Sequence, residues 1–246
     1  MPSPLPSPFP CAAPPFGSIW RGDPRAALPL QGLTVLAVED SRFACEVLRL
    51  MCQRAGARLR RAETLEAARA HLRCYRPDVA IIDIGLPDGR GEVLIRELVV
   101  SIRRPAVILG TSGSSENGAS ALAAGADGFL EKPLAGIAAL VATLRKQLPV
   151  PEFDWPAQSQ IAPKPDRLAL HDDLLHAAAV LADAPDTARR RYVSNFLAGV
   201  ARLAADAALA IAAETVRDQD GDLTELRELV DCRLAVDGAD FKASHS

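Results

Sequence analysis

Between residues 33 and 148 the chain switches hydrophobic period again and again, from short apolar runs to apolar positions at helical spacing. "LTVLAVE" (33–39) is followed by Phe43, Val47, Leu48, Leu50 and Met51 at helical intervals. "ARLRRAE" (57–63) is a weaker, edge-like strand, and Thr64 can cap a helix over 65–74. "DVAIID" (78–83) is apolar until it closes on a carboxylate, and a helix over roughly 91–101 follows, marked by Val93, Leu94 and Leu98. "AVILG" (106–110) precedes an Ala-rich helix to about Ala124. "DGFLE" (127–131) precedes the amphipathic series Ile137, Leu140, Val141, Leu144 and Leu148. Five strand–helix units in succession imply a parallel sheet with helices on both faces. The first, third and fourth runs have the near-continuous apolar character of strands covered on both sides.

In such sheets ligands bind beyond the carboxyl ends of the strands, so the strand-terminal residues are where chemistry is expected. The first strand ends at Glu39 and Asp40, the third at Asp83, the fourth near Thr111 and Ser112, and the fifth at Lys132 before Pro133. Three carboxylates on one rim repel one another, and their pKa values rise in isolation. A hard divalent cation removes that conflict, and Mg²⁺ favours a few carboxylates with water and phosphate oxygens. A carboxylate beside Mg²⁺ can attack a phosphoryl group and form an acyl phosphate. Lys132 would then pair with one phosphoryl oxygen, and the Thr111 hydroxyl would hydrogen-bond another.

The segments "VLAVEDSRFACEVLRLM", "VAIIDIGLPDGRGEVLIREL", "VILGTSG" and "AAGADGFLEKPL" resemble the receiver domain of two-component response regulators, over about residues 32–148. The resemblance implies a doubly wound, flavodoxin-like α/β fold with strand order 2-1-3-4-5. It implies that Asp83 is the phosphorylated aspartate and that Glu39 and Asp40 are the acidic pair holding Mg²⁺. Gly85 would offer its backbone carbonyl to the metal, and Lys132 would be the family's invariant lysine, with a cis Lys132–Pro133 bond. Phe129 matches the aromatic switch position, and Arg42 sits where family members tune dephosphorylation. Counting back from Lys132 without a gap puts Gly110 at the family's hydroxyl position; a shift of one residue brings Thr111 there, and of two, Ser112. Thr111 is favoured because the chemistry needs a hydroxyl. The implied partner is a sensor histidine kinase or a phosphotransfer protein. The expected protein is a signalling protein rather than an enzyme, with at most Mg²⁺-dependent self-phosphorylation and self-dephosphorylation.

The rest of the 246 residues frames this unit. Residues 1–31 read as a disordered, Pro-rich leader, 32–148 as the receiver, and 149–165 as a Pro-rich linker. Residues 166–238 read as a small all-α bundle, and 239–246 as a frayed tail. Three helices are expected in the bundle: one through Leu168, Leu174 and Leu181, a long one from Tyr192 to Ile211, and one through Leu223, Leu226 and Leu229. They faintly resemble a histidine phosphotransfer domain in which Asp231 stands at the His position, which implies a unit that docks but cannot relay phosphate. A rival likeness, His171 followed by Asp172, is to the phosphorylated helix of a histidine kinase. The plain alternative is a bundle for homodimerisation or partner docking.

Composition narrows the remaining classes. The formal net charge is −3, and the Arg189–Arg191 run suits a solvated helix face, so no nucleic-acid partner is expected. No apolar run has the length of a membrane span, and the N-terminus is a poor signal peptide, so a cytoplasmic protein without membrane contact is expected. Five cysteines without a C-x-x-C spacing suit a reducing compartment, with Cys45 and Cys52 buried on one helix face. "GTSGS" lacks the last Gly of a nucleophile elbow, "GLPDGRG" lacks the Lys of a P-loop, and no His/Cys cluster has zinc spacing. A competing reading of the same residues is a receiver-fold scaffold that works without phosphate.

Overall fold

The computed structural model describes residues 28–148, 163, 166–183, 185–219 and 223–243. The leader up to residue 27, nearly all of the linker and the last three residues lie outside the described residues. Five strands form one parallel sheet: β1 (Thr34–Val38), β2 (Arg58–Ala62), β3 (Val79–Asp83), β6 (Val107–Ser112) and β7 (Gly128–Glu131), in the order β2-β1-β3-β6-β7. This is the expected order, with an antiparallel ribbon of β4 (Gly85–Leu86) and β5 (Gly89–Arg90) inserted after β3. The helices between strands are α1 (Arg42–Ala55), α2 (Leu65–Cys74), α3 (Gly91–Val99) and α4 (Glu116–Ala123), and α5 (Ile137–Arg145) closes the unit.

The period-two alternation of the strands sorts their side chains into two cores. Val35, Ala37, Val79, Ile81, Val107 and Leu109 face α1 and α5, with Val47, Leu48, Met51, Leu140 and Val141. Leu36, Val38, Ala80, Ile82 and Ile108 face the other way, onto Leu65, Leu94, Ile95, Leu98 and Ala121 of α2, α3 and α4. Each fully buried Ile or Leu contributes about 1.5–3 kcal/mol by leaving water, so the two layers hold the strand ends in fixed register. Leu30 belongs to the first core and is fully buried, although the sequence reading placed it in the leader. Its amide donates to the Ala55 carbonyl at 2.8 Å, which ties the chain to the end of α1. Cys45 and Cys52 lie buried in the same core, and Thr64 caps α2 by accepting from the Ala67 amide.

Among the described residues the helical region has four helices where three were expected: α6 (Arg167–Ala182), α7 (Thr187–Leu203), α8 (Ala207–Gln219) and α9 (Leu223–Ala243). The long helix drawn through Tyr192 and Ile211 is broken at Ala205, whose φ of 58° turns the chain. The last helix reaches Ala243, into the segment read as a tail. Each helix packs on two others, α6 on α7 and α9, and α8 on α7 and α9. They enclose their own core of Leu174, Leu181, Val193, Leu197, Leu226 and Val230. Two of them also leave the bundle's own core to touch the sheet unit: α6 packs on α1, and α7 on α1 and β4.

Candidate functional site

Two neighbouring strand ends bring Glu39, Asp40 and Asp83 together, with one carboxylate oxygen of each within 4.8 Å of the others. The first two follow β1 directly, and Asp83 is the last residue of β3, its neighbour in the sheet. Lys132 enters from the end of β7, with Nζ 2.6 Å from Asp83 Oδ2 and 2.5 Å from Glu39 Oε2. The Lys132–Pro133 bond is cis. The Gly85 amide donates to Asp83 Oδ1 at 3.1 Å, and the Gly91 amide to the Ile84 carbonyl at 3.1 Å, which folds the β4–β5 ribbon around Asp83. A Cβ on Gly91 would stand 2.1 Å from the Asp83 carbonyl oxygen, so only glycine permits this close approach.

The electrostatics follow from three acids sharing one ammonium. Burial, with Asp83 and Asp40 alongside, pushes Glu39 up to about 8 against the pull of Lys132. Burial and the Asp83 charge push Asp40 up to about 7, against the hydrogen bond from Tyr192 and the charge of Lys132. Burial alone would lower Lys132; the Asp83 and Glu39 charges outweigh it and hold the ammonium above its ordinary value. A cluster this rich in carboxylate oxygen and poor in positive charge matches the donor chemistry of a hard divalent cation.

The sheet register places the three candidates for the hydroxyl position. Asp83 lies opposite Thr111 on β6, and Gly110 lies opposite Ile82. Gly110 faces the helix side instead: a Cβ there would meet Ala121 Cβ at 2.6 Å and the Phe129 ring at 3.3 Å. Thr111 is buried and donates to the Leu130 carbonyl at 2.8 Å, while the Ser112 hydroxyl accepts from Asn117 Nδ2 at 2.8 Å. Phe129 is half-buried against α4, its ring 3.2 Å from where a Cβ on Gly118 would stand.

Sequence reasoning missed the contribution of the helical region. Asp173 of α6 is buried, and its carboxylate accepts from the Ser41 hydroxyl at 2.6 Å and from the Arg42 and Phe43 amides at 2.8 and 3.1 Å. Burial raises its pKa against those three bonds. The Tyr192 hydroxyl of α7 donates to Asp40 Oδ2 at 2.7 Å, and burial followed by the Asp40 charge raises the phenol's pKa, which keeps it a donor. Arg202 donates to the Gly113 carbonyl, and Arg42 pairs with Asp172. The one available signal was an acid, Asp173, beside the apolar stripe Leu170, Leu174, Ala177 and Leu181. His171 is half-buried on α6, with an enclosed Nδ1 that has no hydrogen-bond partner, and Asp231 is exposed on α9.

Residues 35–145 match the family model described as response regulator receiver domain. This segment is a response regulator receiver domain. The chain is 39% identical over 114 residues to the KDP operon transcriptional regulatory protein KdpE of Escherichia coli K12, covering 46% of this chain and 50% of that protein. It is 31% identical over 151 residues to the response regulator GtcR of Aneurinibacillus migulanus, covering 60% of this chain and 61% of that one. The chain thus spans about half the length of the curated relatives it matches. Among solved structures, a putative response regulator from Chloroflexus aurantiacus is 28% identical with a TM-score of 0.43, covering 46% of this chain and 95% of that one. The chemotaxis response regulator CheY4 of Vibrio cholerae is 29% identical with a TM-score of 0.42, covering 47% of this chain and 98% of that one. The receiver match ends before α6 begins. Among the described residues no helix is long and apolar enough to cross a membrane.

Proposed function

We propose that this chain accepts a phosphoryl group on Asp83 from a phospho-His donor and uses the event to change a protein–protein contact. The observation that carries the reading is the convergence of Glu39, Asp40 and Asp83 within 4.8 Å, with Lys132 bridging Asp83 and Glu39. An oxygen of Asp83 attacks phosphorus, the P–N bond to imidazole breaks, and the electron pair returns to the ring nitrogen. Lys132 is placed to follow the charge from the carboxylate to the phosphoryl oxygens. Glu39, Asp40, Asp83 and the Gly85 carbonyl are the residues that would hold Mg²⁺, which when bound neutralises charge on the phosphoryl oxygens. Thr111, beside Asp83 in the sheet, would exchange its bond to Leu130 for one to the phosphoryl group, and Phe129 would follow it.

The donor is a sensor histidine kinase or a phosphotransfer protein. The output is protein contact rather than DNA binding. Residues 166–243 carry nine basic against fifteen acidic side chains, a formal charge of −6, which opposes a phosphate backbone. The test is labelling with a phosphorylated His-containing donor protein and Mg²⁺. Wild type should take label, and Asp83→Asn and chelator-treated wild type should not. Equal labelling of wild type and Asp83→Asn would refute the assignment.

A further inference from the structure

We infer that the α6–α7 face is a removable cover over the mouth of the Asp83 site, held by the loops that rim it, and that a phosphodonor protein and the bound phosphoryl group compete with it. The inference rests on the proposed role of Asp83 and goes beyond it.

Three anchors from the helical region grip the mouth, two on the adjoining residues 40–43 after β1 and one on the loop after β6. Asp173 takes the hydroxyl of Ser41 and two amides of the first turn of α1. Those amides have no partner inside their own helix, so the bonds satisfy groups that water must otherwise serve. Tyr192 occupies Asp40 Oδ2, an oxygen of the acidic cluster itself. Arg202 holds the Gly113 carbonyl in the loop that follows β6, and its guanidinium lies 3.1 Å from where a Cβ on Gly113 would be.

The space left between rim and cover is a cavity of about 60 Å³, bounded by Asp83, Lys132 and Ser112 on one side and Asn195, Arg202 and Leu203 on the other. That holds about four waters. It does not admit a histidine carried on another protein's helix, so a protein donor reaches Asp83 only after α6 and α7 move aside. The competition also acts at the level of one atom. The Tyr192 hydroxyl takes up one lone pair of Asp40 Oδ2, which makes that oxygen a poorer ligand for a cation shared with Asp83, and the phosphoryl group needs the room that Asn195 and Arg202 now bound. By linkage, whatever binds the rim in place of the cover is opposed by the cover to the same extent. Phosphorylation therefore frees the α6–α7 face, with Asp173, Tyr192 and Arg202, for a partner.

The experiment uses the full chain and the triple variant Asp173→Asn/Tyr192→Phe/Arg202→Ala. Hydrogen exchange at the Arg42 and Phe43 amides reports docking directly. Both should be protected in wild type and exchange about tenfold faster in the triple variant, and in wild type given Mg²⁺ with beryllofluoride, but not in Asp83→Asn so treated. The rate of Asp83 labelling from a phospho-His protein should rise about tenfold in the triple variant. Tyr192→Phe alone keeps the ring packing, and calorimetric titration should show it binding Mg²⁺ several-fold more tightly than wild type. Equal labelling rates in wild type and an undocked triple variant overturn the cover and leave the phosphoacceptor assignment standing. Wild-type protection at Arg42 and Phe43 in the triple variant overturns it as well. Absence of label on Asp83 in both proteins removes the phosphoacceptor assignment, and the cover with it.

Discussion

Gly110 and Thr111 are neighbours in the chain but belong to opposite faces of β6, and that difference decides what each can do. The sequence left the hydroxyl position open between Gly110, Thr111 and Ser112, because counting along a loop cannot detect a missing residue. In the sheet, Thr111 is the residue paired with Asp83, and Gly110 is paired with Ile82. Packing favours a small residue at Gly110: Ala121 and the Phe129 ring fill the space a side chain would take. Gly110→Ala should therefore cost about 1–3 kcal/mol by overpacking, read as a lowered urea midpoint with an unchanged slope. A variant as stable as wild type would mean that α4 can shift freely, and the close packing of Phe129 would lose its meaning. The positions of Glu39, Asp40, Asp83 and Lys132 were legible because each ends an apolar run. Asp173, Tyr192 and Arg202 were not, since a contact between residues 89 or more positions apart has no local signature.

At the scale of elements, the strands could be read because burial on both faces leaves continuous apolar runs. The β4–β5 ribbon could not, being two residues on each side with no periodicity to detect. The break between α7 and α8 was hidden for a sharper reason. The Ala205 amide donates to the Arg202 carbonyl and the Asp206 amide to the Ala201 carbonyl, the paired bonds of a helix-terminating turn. The ends of α1 and α4 have the same bond pattern, with Gly56 and Gly125 in the left-handed position. At the end of α7 that position is held by alanine, which reads as helix continuation. Ala in the left-handed region is strained by its Cβ, so Ala205→Gly should stabilise the protein by about 0.5–1 kcal/mol. Thermal or urea unfolding checks this. A destabilised variant would show that the turn draws on the alanine side chain in a way its backbone geometry does not require.

For the whole molecule, the acidic rim is costly to bury and is covered on its open side by a second set of helices. This arrangement makes stability depend on pH in a direction opposite to that of most paired carboxylates. Burial holds the protons of Glu39 and Asp40 up to about 8 and about 7, whereas the unfolded chain releases them near the ordinary carboxylate values. The folded state then binds more protons than the unfolded one across that interval, so stability falls as pH rises through it. Asp173, also raised, acts in the same sense. The groups lowered by ion pairing or hydrogen bonding, Glu46, Glu92, Glu97 and Asp206, have the opposite sign, but their effect changes only below their ordinary values. The stabilisation from raising Lys132 is complete below the ordinary lysine value. Between about pH 5 and 8, then, the rim acids set the slope. The melting temperature of metal-free protein should drop across this range. Saturating Mg²⁺ should shrink or reverse the drop, because it binds the deprotonated carboxylates and stabilises only the folded state. Glu39→Gln should flatten the metal-free profile without metal. A metal-free melting temperature that rises from pH 5 to 8, and does so equally with Mg²⁺, would show that the rim acids are already ionised and compensated in the folded chain. The docked α6–α7 face would then impose no electrostatic strain for phosphorylation to relieve.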